Sequence, residues 1–132
     1  MIVVDASALV ALAGHEAEAL AVAAALQDNA SAVISPVNAV EAGLILIGRG
    51  RFADADQYNR WIAEIGVTVD PDTVDHMAAL RAYLRFGRGY HPARLNLGDA
   101  FAYALATRLD APLLYKGDDF AQTDIRSALQ PT

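Results

Sequence analysis

Along this chain, short apolar runs alternate with longer stretches in which apolar residues recur every three or four positions. Ile2-Val3-Val4, closed by Asp5, is a β-branched run that reads as a buried strand, and Ser7 reads as the cap of a helix over Ala8 to Ala13. Glu16 to Leu26 is an alanine-rich helical stretch ended by Asp28-Asn29, and Ala32-Val33-Ile34 is a second strand. Ser35-Pro36 opens the next helix, with serine as cap and proline at the first helical position, and the pattern runs to about Ile47 before Gly48-Arg49-Gly50. In it Val37, Val40, Glu41 and Leu44 share one face by spacing, which predicts that Glu41 points inward with an apolar stripe. An amphipathic helix from Phe52 to Ile65 carries Trp61, Gly66 breaks it, and Val67-Thr68-Val69 forms a third strand. Pro71-Asp72 begins a helix reaching about Phe86, and Gly87 to Asn96, punctuated by Gly89 and Pro92, reads as a loop. Leu97-Gly98-Asp99 leads into a helix over Ala100 to Arg108, where Asp99, Ala102, Tyr103 and Ala106 line one side. Asp110-Ala111-Pro112 then turns the chain into a last strand, Leu113 to Tyr115, which Lys116-Gly117-Asp118-Asp119-Phe120 leaves as a loop.

Strands separated by helices predict an α/β fold of three layers, a short, mostly parallel sheet with helices on both faces. At 132 residues the chain suits one core and is too short for two ordinary ones, so residues 1–132 read as a single domain. No run reaches the roughly 18 apolar residues of a membrane span, and the N-terminus lacks the positive stretch of a signal peptide. The expectation is a cytoplasmic protein with no membrane partner.

In parallel α/β sheets ligands collect outside the carboxyl ends of the strands. Asp5 and Asp118 emerge at that edge, and Glu41 and Asp99 can approach it from the helices beside it. Each is flanked by residues that belong in a core, and desolvating an unpaired carboxylate costs several kcal/mol or forces a proton onto it. Asp99, in the first turn of its helix, is expected to stay ionised in the field of the helix dipole. Too few basic residues lie nearby to pair all four, which points to a divalent cation. Cysteine is absent and His15, His76 and His91 are scattered without ligand spacing, so the cation is a hard, oxygen-bound one, Mg²⁺ with Mn²⁺ as its substitute. Such a pocket suits hydrolysis of a phosphodiester.

The formal charge of −6 gives no basic footprint for nucleic acid, a conflict that an occupied metal site removes locally. The charge is uneven: Arg81, Arg85, Arg88 and Arg94 crowd the segment before Asp99 and can grip a polyanion, although a solvated helix face accounts for them as well.

At these residues the chain resembles the PIN-domain ribonucleases, and more narrowly the VapC-type toxins of bacterial toxin-antitoxin pairs. The resemblance rests on Val4-Asp5-Ala6-Ser7-Ala8-Leu9, on Glu41 within a mid-chain helix, on Leu97-Gly98-Asp99-Ala100, and on the late Leu113-Leu114-Tyr115-Lys116-Gly117-Asp118-Asp119-Phe120, in that order over essentially the whole length. It departs from the pattern at Lys116-Gly117, where many members carry a threonine before the last acid, and this leaves open whether Asp118 or Asp119 faces the metal. What the resemblance implies is a Mg²⁺-dependent endoribonuclease acting on tRNA, rRNA or mRNA, held by a cognate antitoxin and forming a homodimer. Asp5 and Asp99 would ligate the metal, Glu41 would bind it or orient the attacking water, Asp118 would complete the set, and Ser7 would hydrogen-bond Asp5 or a metal-bound water. The antitoxin is expected on an apolar surface made by the helices Ala8 to Ala13 and Ala39 to Ile47.

Each acid also has a plainer reading. Asp5 can cap a helix, Asp99 can serve the helix dipole, Asp118-Asp119 can be a polar turn, and Glu41 can be answered by a buried arginine. Glu16, Glu18, Asp54, Asp56, Glu64 and Asp72 read as solvated. A phosphate-accepting signalling domain also uses an acidic cluster and a late lysine, with Val69-Asp70 as its further strand-end acid, but it lacks paired acids after the first strand. An aspartate-nucleophile phosphatase needs an acid where Ser7 stands, and a non-catalytic RNA- or protein-binding module would tolerate loss of the carboxylates.

Overall fold

The computed structural model describes residues 1–71 and 75–129. In chain order the elements are β1 (Ile2–Val4), α1 (Ala6–Ala13), α2 (Ala19–Asp28), β2 (Ala32–Ile34), α3 (Pro36–Gly48), α4 (Ala55–Glu64), β3 (Val67–Val69), α5 (His76–Phe86), α6 (Leu97–Leu109) and β4 (Leu113–Leu114), followed by a 3₁₀ turn at Asp119–Gln122. The strands form one parallel sheet in the order β3-β2-β1-β4, with Ile2 opposite Ala32 and Val3 opposite both Val33 and Leu113.

The short apolar runs are strands because both faces of this sheet are covered. Side chains alternate between two cores: Ile2, Val4, Ile34 and Leu114 pack with α1 to α4, while Val3 and Leu113 pack with α5, α6, Leu95 and Phe120. Burying a side chain of this size contributes about 1.5–3 kcal/mol, so loss of either core would exceed the net stability of a domain of this length.

Caps fix where the helices begin. Asp5, not Ser7, caps α1: its Oδ2 accepts from the Ser7 N–H at 3.1 Å, so the helix starts two residues earlier than the pattern predicts. The glutamates at 16 and 18 precede α2 rather than opening it. Asp54 caps α4, which shortens the predicted Phe52-to-Ile65 helix. Asp75 caps α5; the predicted start of that helix at Asp72 lies outside the described residues. Asn96 caps α6 in a reciprocal box with Asp99, so that helix includes Leu97 and Gly98.

The inward face of α3 also differs from the periodicity reading. Asn38, Ala39, Ala42, Gly43 and Leu46 are buried, Val40 and Leu44 are 61% and 71% exposed, and Glu41 lies on the boundary. Small residues win the inner face because α4 packs close: a β-carbon on Gly43 would sit 2.8 Å from the Tyr58 ring, and the Tyr58 hydroxyl donates to the Ala39 carbonyl at 2.6 Å. Helix α1 spends its apolar groups in the core, with Ala6, Ala8, Leu9, Val10 and Ala11 all buried, so α3 alone presents the exposed apolar surface expected of the pair.

Candidate active site

The chain runs from β1 to β2 to β3 on one side and returns to β4 on the other side of β1, so the connections part between β1 and β4. A crevice opens at the carboxyl ends of strands where the order reverses. Asp5 leaves β1 there, its N–H still on the ladder to the Leu114 carbonyl at 2.9 Å. The amino ends of α3 and α6 close over the same edge. Asp5, Ser7, Glu16, Glu41, Arg49, Asn96, Asp99, Lys116 and Asp119 line one pocket.

Asp5 is buried, 4% exposed, and its two oxygens differ. Oδ2 receives the Ser7 N–H and, at 2.5 Å, the Ser7 hydroxyl; Oδ1 is buried with no hydrogen-bond partner. Ser7 Oγ in turn accepts the Lys116 N–H at 3.0 Å, tying the segment after β4 to the end of β1. Burial raises the Asp5 pKa, opposed by the Ser7 bonds and assisted by the negative charge of Glu41.

Glu41 is brought in by a buried polar network. Asn38, fully buried, donates from Nδ2 to the Gly98 carbonyl at 2.9 Å and to Glu41 Oε1 at 3.3 Å, while Ser35 Oγ donates to Asn38 Oδ1 at 2.9 Å and accepts the Asn38 N–H. The polar partner of Glu41 is therefore an amide, and no arginine among the described residues pairs with it. Gly98 is what lets it lie there, since a β-carbon at that position would fall 2.6 Å from Glu41 Oε2. Asp99 follows directly, 7% exposed, its Oδ2 accepting the Asn96 N–H at 3.0 Å. Its pKa is raised to about 7, first by burial and then by the charges of Asp5, Asp119 and Glu41, with the Asn96 bond opposing. The dipole of α6 does not hold it in the usual carboxylate range, because desolvation outweighs a first-turn effect worth at most about 2 kcal/mol.

Of the two acids left open after β4, it is Asp119 and not Asp118 that lines the pocket, and its charge is the one that reaches Asp99; both are exposed, and Asp118 precedes the 3₁₀ turn, its carbonyl accepting the Ala121 N–H. Gly117 takes φ +96° in the turn before these acids, and Phe120, next after Asp119, packs inward. Glu16 is not the solvated residue the pattern suggests: it lines the pocket and pairs with Lys116 and with Arg49 at 3.9 Å; Glu18 lies 3.6 Å from the same lysine. Asn38, Asn96, Lys116 and Arg49 are site residues the sequence did not reveal. For Asn38 a signal existed, a polar residue three before Glu41 on an otherwise apolar helix.

A divalent cation fits this donor set. The orphaned, buried Asp5 Oδ1 and the like-charged, desolvated Asp99 both lack a cationic partner among the described residues. No three acidic or histidine side chains among the described residues already form a ready-made cage, and Mg²⁺ commonly takes one or two carboxylates and keeps its waters.

Fold and site together define a class, and the sequence model of the PIN domain matches residues 2–126: the chain belongs to the PIN-domain family. Within it, the chain is similar to the VapC proteins. It is 41% identical over 128 residues to ribonuclease VapC42 of Mycobacterium tuberculosis, covering 96% of this chain and 98% of that one. It is 42% identical over 125 residues to ribonuclease VapC36 of the same organism, covering 93% and 90%. The crystal structure of M. tuberculosis VapC20, described as a toxin that cleaves the sarcin-ricin loop, superposes with a TM-score of 0.77 over 99% of this chain and 100% of that one, at 18% identity.

Proposed function

We propose that this chain is a Mg²⁺-dependent endoribonuclease, the toxin of a type II toxin-antitoxin pair, acting in the cytoplasm on phosphodiester bonds of RNA. The observation that carries the reading is the buried Asp5 Oδ1, without a partner, in a pocket shared with Glu41, Asp99 and Asp119. Similarity to ribonucleases named VapC supports it.

Asp5 and Asp99 are the residues that would hold the cation. When bound, the ion supplies positive charge for a phosphate under in-line attack and makes water a better nucleophile. The rest falls to the chain. Ser7 keeps Asp5 Oδ2 occupied, which reserves Oδ1 for ligation. Glu41, steadied by Asn38 above Gly98, orients the attacking water and takes its proton. Asp119 adds negative charge at the wall next to Asp99. The cognate antitoxin finds an apolar face in Val40 and Leu44 of α3, and a second copy of the chain makes the homodimer.

The signalling-domain alternative loses its further acid: Asp70 follows the edge strand β3, lies outside the pocket and is held by Arg108 at 2.5 Å. The test is sequencing of RNA ends after induction in cells. Defined new ends with the wild-type chain, absent with Asp5→Asn, are expected; identical ends from both would refute the proposal.

A further inference from the structure

The pocket floor is anionic, so an RNA strand needs cations at its border before any phosphate can come near. Among the described residues lining the pocket, those cations are Lys116 and Arg49. Lys116 comes from the segment after β4 and Arg49 from the end of α3, and both lean on Glu16. Its carboxylate occupies the space between them. Lys116 is anchored at its base, where its N–H meets Ser7 Oγ, the hydroxyl that also holds Asp5, while its flexible stem carries the ammonium to Glu16, with Glu18 3.6 Å away. Side chains of Lys116 and Arg49 are 38% and 59% exposed, so the pairs with Glu16 are screened and exchangeable.

We infer that Lys116 and Arg49 are the phosphate-binding residues of this site, gripping single-stranded RNA on either side of the bond to be cut, and that Glu16 holds their place until a phosphodiester displaces it. The inference rests on the nuclease reading and adds residues outside its four carboxylates. It also resolves how a chain of charge −6 admits a polyanion: the border of the pocket is cationic where the floor is not. A structural alternative makes a contrary prediction. If Lys116 merely fastened the segment before α2 through Glu16, removing either partner would have the same effect.

The test uses the full chain, Mg²⁺ and a synthetic single-stranded RNA that the wild type cleaves. Lys116→Met and Arg49→Met are each expected to raise KM about tenfold with kcat within about threefold, and to lower the salt dependence of binding by roughly 0.7 per lost phosphate contact. Glu16→Gln is expected to lower KM, and Lys116→Arg to restore most of the loss. Arg60→Met, an exposed cation of α4 away from the pocket, serves as control. Glu16→Gln and Lys116→Met shifting KM in the same direction, or neither cation variant changing KM and salt slope, would overturn the inference. If the wild type cleaves no RNA, the nuclease reading falls separately. The border is then read by fluorescence anisotropy of the same RNA with Ca²⁺ in place of Mg²⁺, where unweakened binding by Lys116→Met would overturn it.

Discussion

Two aspartates stand in matching places and meet opposite fates. Asp5 follows β1 and Asp70 follows β3, and each extends its ladder by one bond, Asp5 N–H to the Leu114 carbonyl and Asp70 N–H to the Ile34 carbonyl. Asp70 is answered by the Arg108 guanidinium from α6. Asp5 keeps one buried oxygen without a partner among the described residues. An acid at the end of a strand is thus no sign of a site in itself; what distinguishes a site is a charge the fold buries and declines to neutralise.

The sharpest way to break that contrast is to neutralise both. Asp5→Asn is expected to abolish Mg²⁺-dependent cleavage, a loss of roughly 10³-fold or more if several kcal/mol of charge stabilisation go with the ion. Thermal unfolding should show the fold retained or strengthened, because asparagine still caps α1 and no buried charge remains. Asp70→Asn should do the reverse, costing about 1–2 kcal/mol in stability while leaving the cleavage rate nearly untouched. Equal losses of activity in the two variants would erase the distinction.

Gly98→Ala sharpens it by moving Glu41 alone. The added methyl would meet the Glu41 carboxylate, the mobile end of a side chain, so the fold should survive while cleavage falls about 10²-fold, as a misplacement of about 1 Å does elsewhere. Unchanged kinetics would mean that the position of Glu41 does not matter.

The next effect is on pH. Asp99, raised from 3.8 to about 7, binds more protons in the folded than in the unfolded chain between those values. Its contribution to stability is therefore present below pH 3.8 and is lost as pH rises through about 7, a decline of a few kcal/mol in metal-free protein. Chemical denaturation at pH 5 and pH 8 in EDTA measures it, and added Mg²⁺ should recover more at pH 8, where the carboxylate is ionised. Stability rising with pH over that range would contradict the assignment. Asn38→Ala, read by chemical denaturation, is expected to cost about 2 kcal/mol in stability for a broken buried network, with reduced activity through Glu41.

Much of this arrangement was legible in the residues. The β-branched runs mark the strands, Ser35-Pro36 marks the start of α3, and Asp5, Glu41 and Asp99 stand out as charges among core residues. Periodicity fails on α3, because it counts apolar positions and cannot see that Tyr58 of α4 approaches closely enough to demand Gly43 inside. It also fails between Asp118 and Asp119, since both are exposed and only the fold shows which lines the pocket. The pairing of Glu16 with Lys116 spans a hundred positions, and only the parallel placement of β1 beside β4 brings the two together.

The central claim is that the fold leaves Asp5 Oδ1 uncompensated so that a divalent ion can be held there. Anomalous diffraction from crystals of the wild-type chain grown with Mn²⁺ tests it most directly. The account predicts a manganese peak about 2.1 Å from Asp5 Oδ1 and within reach of Asp99, lost in Asp5→Asn. A pocket without manganese at millimolar concentration, or a peak that persists in Asp5→Asn, would contradict it.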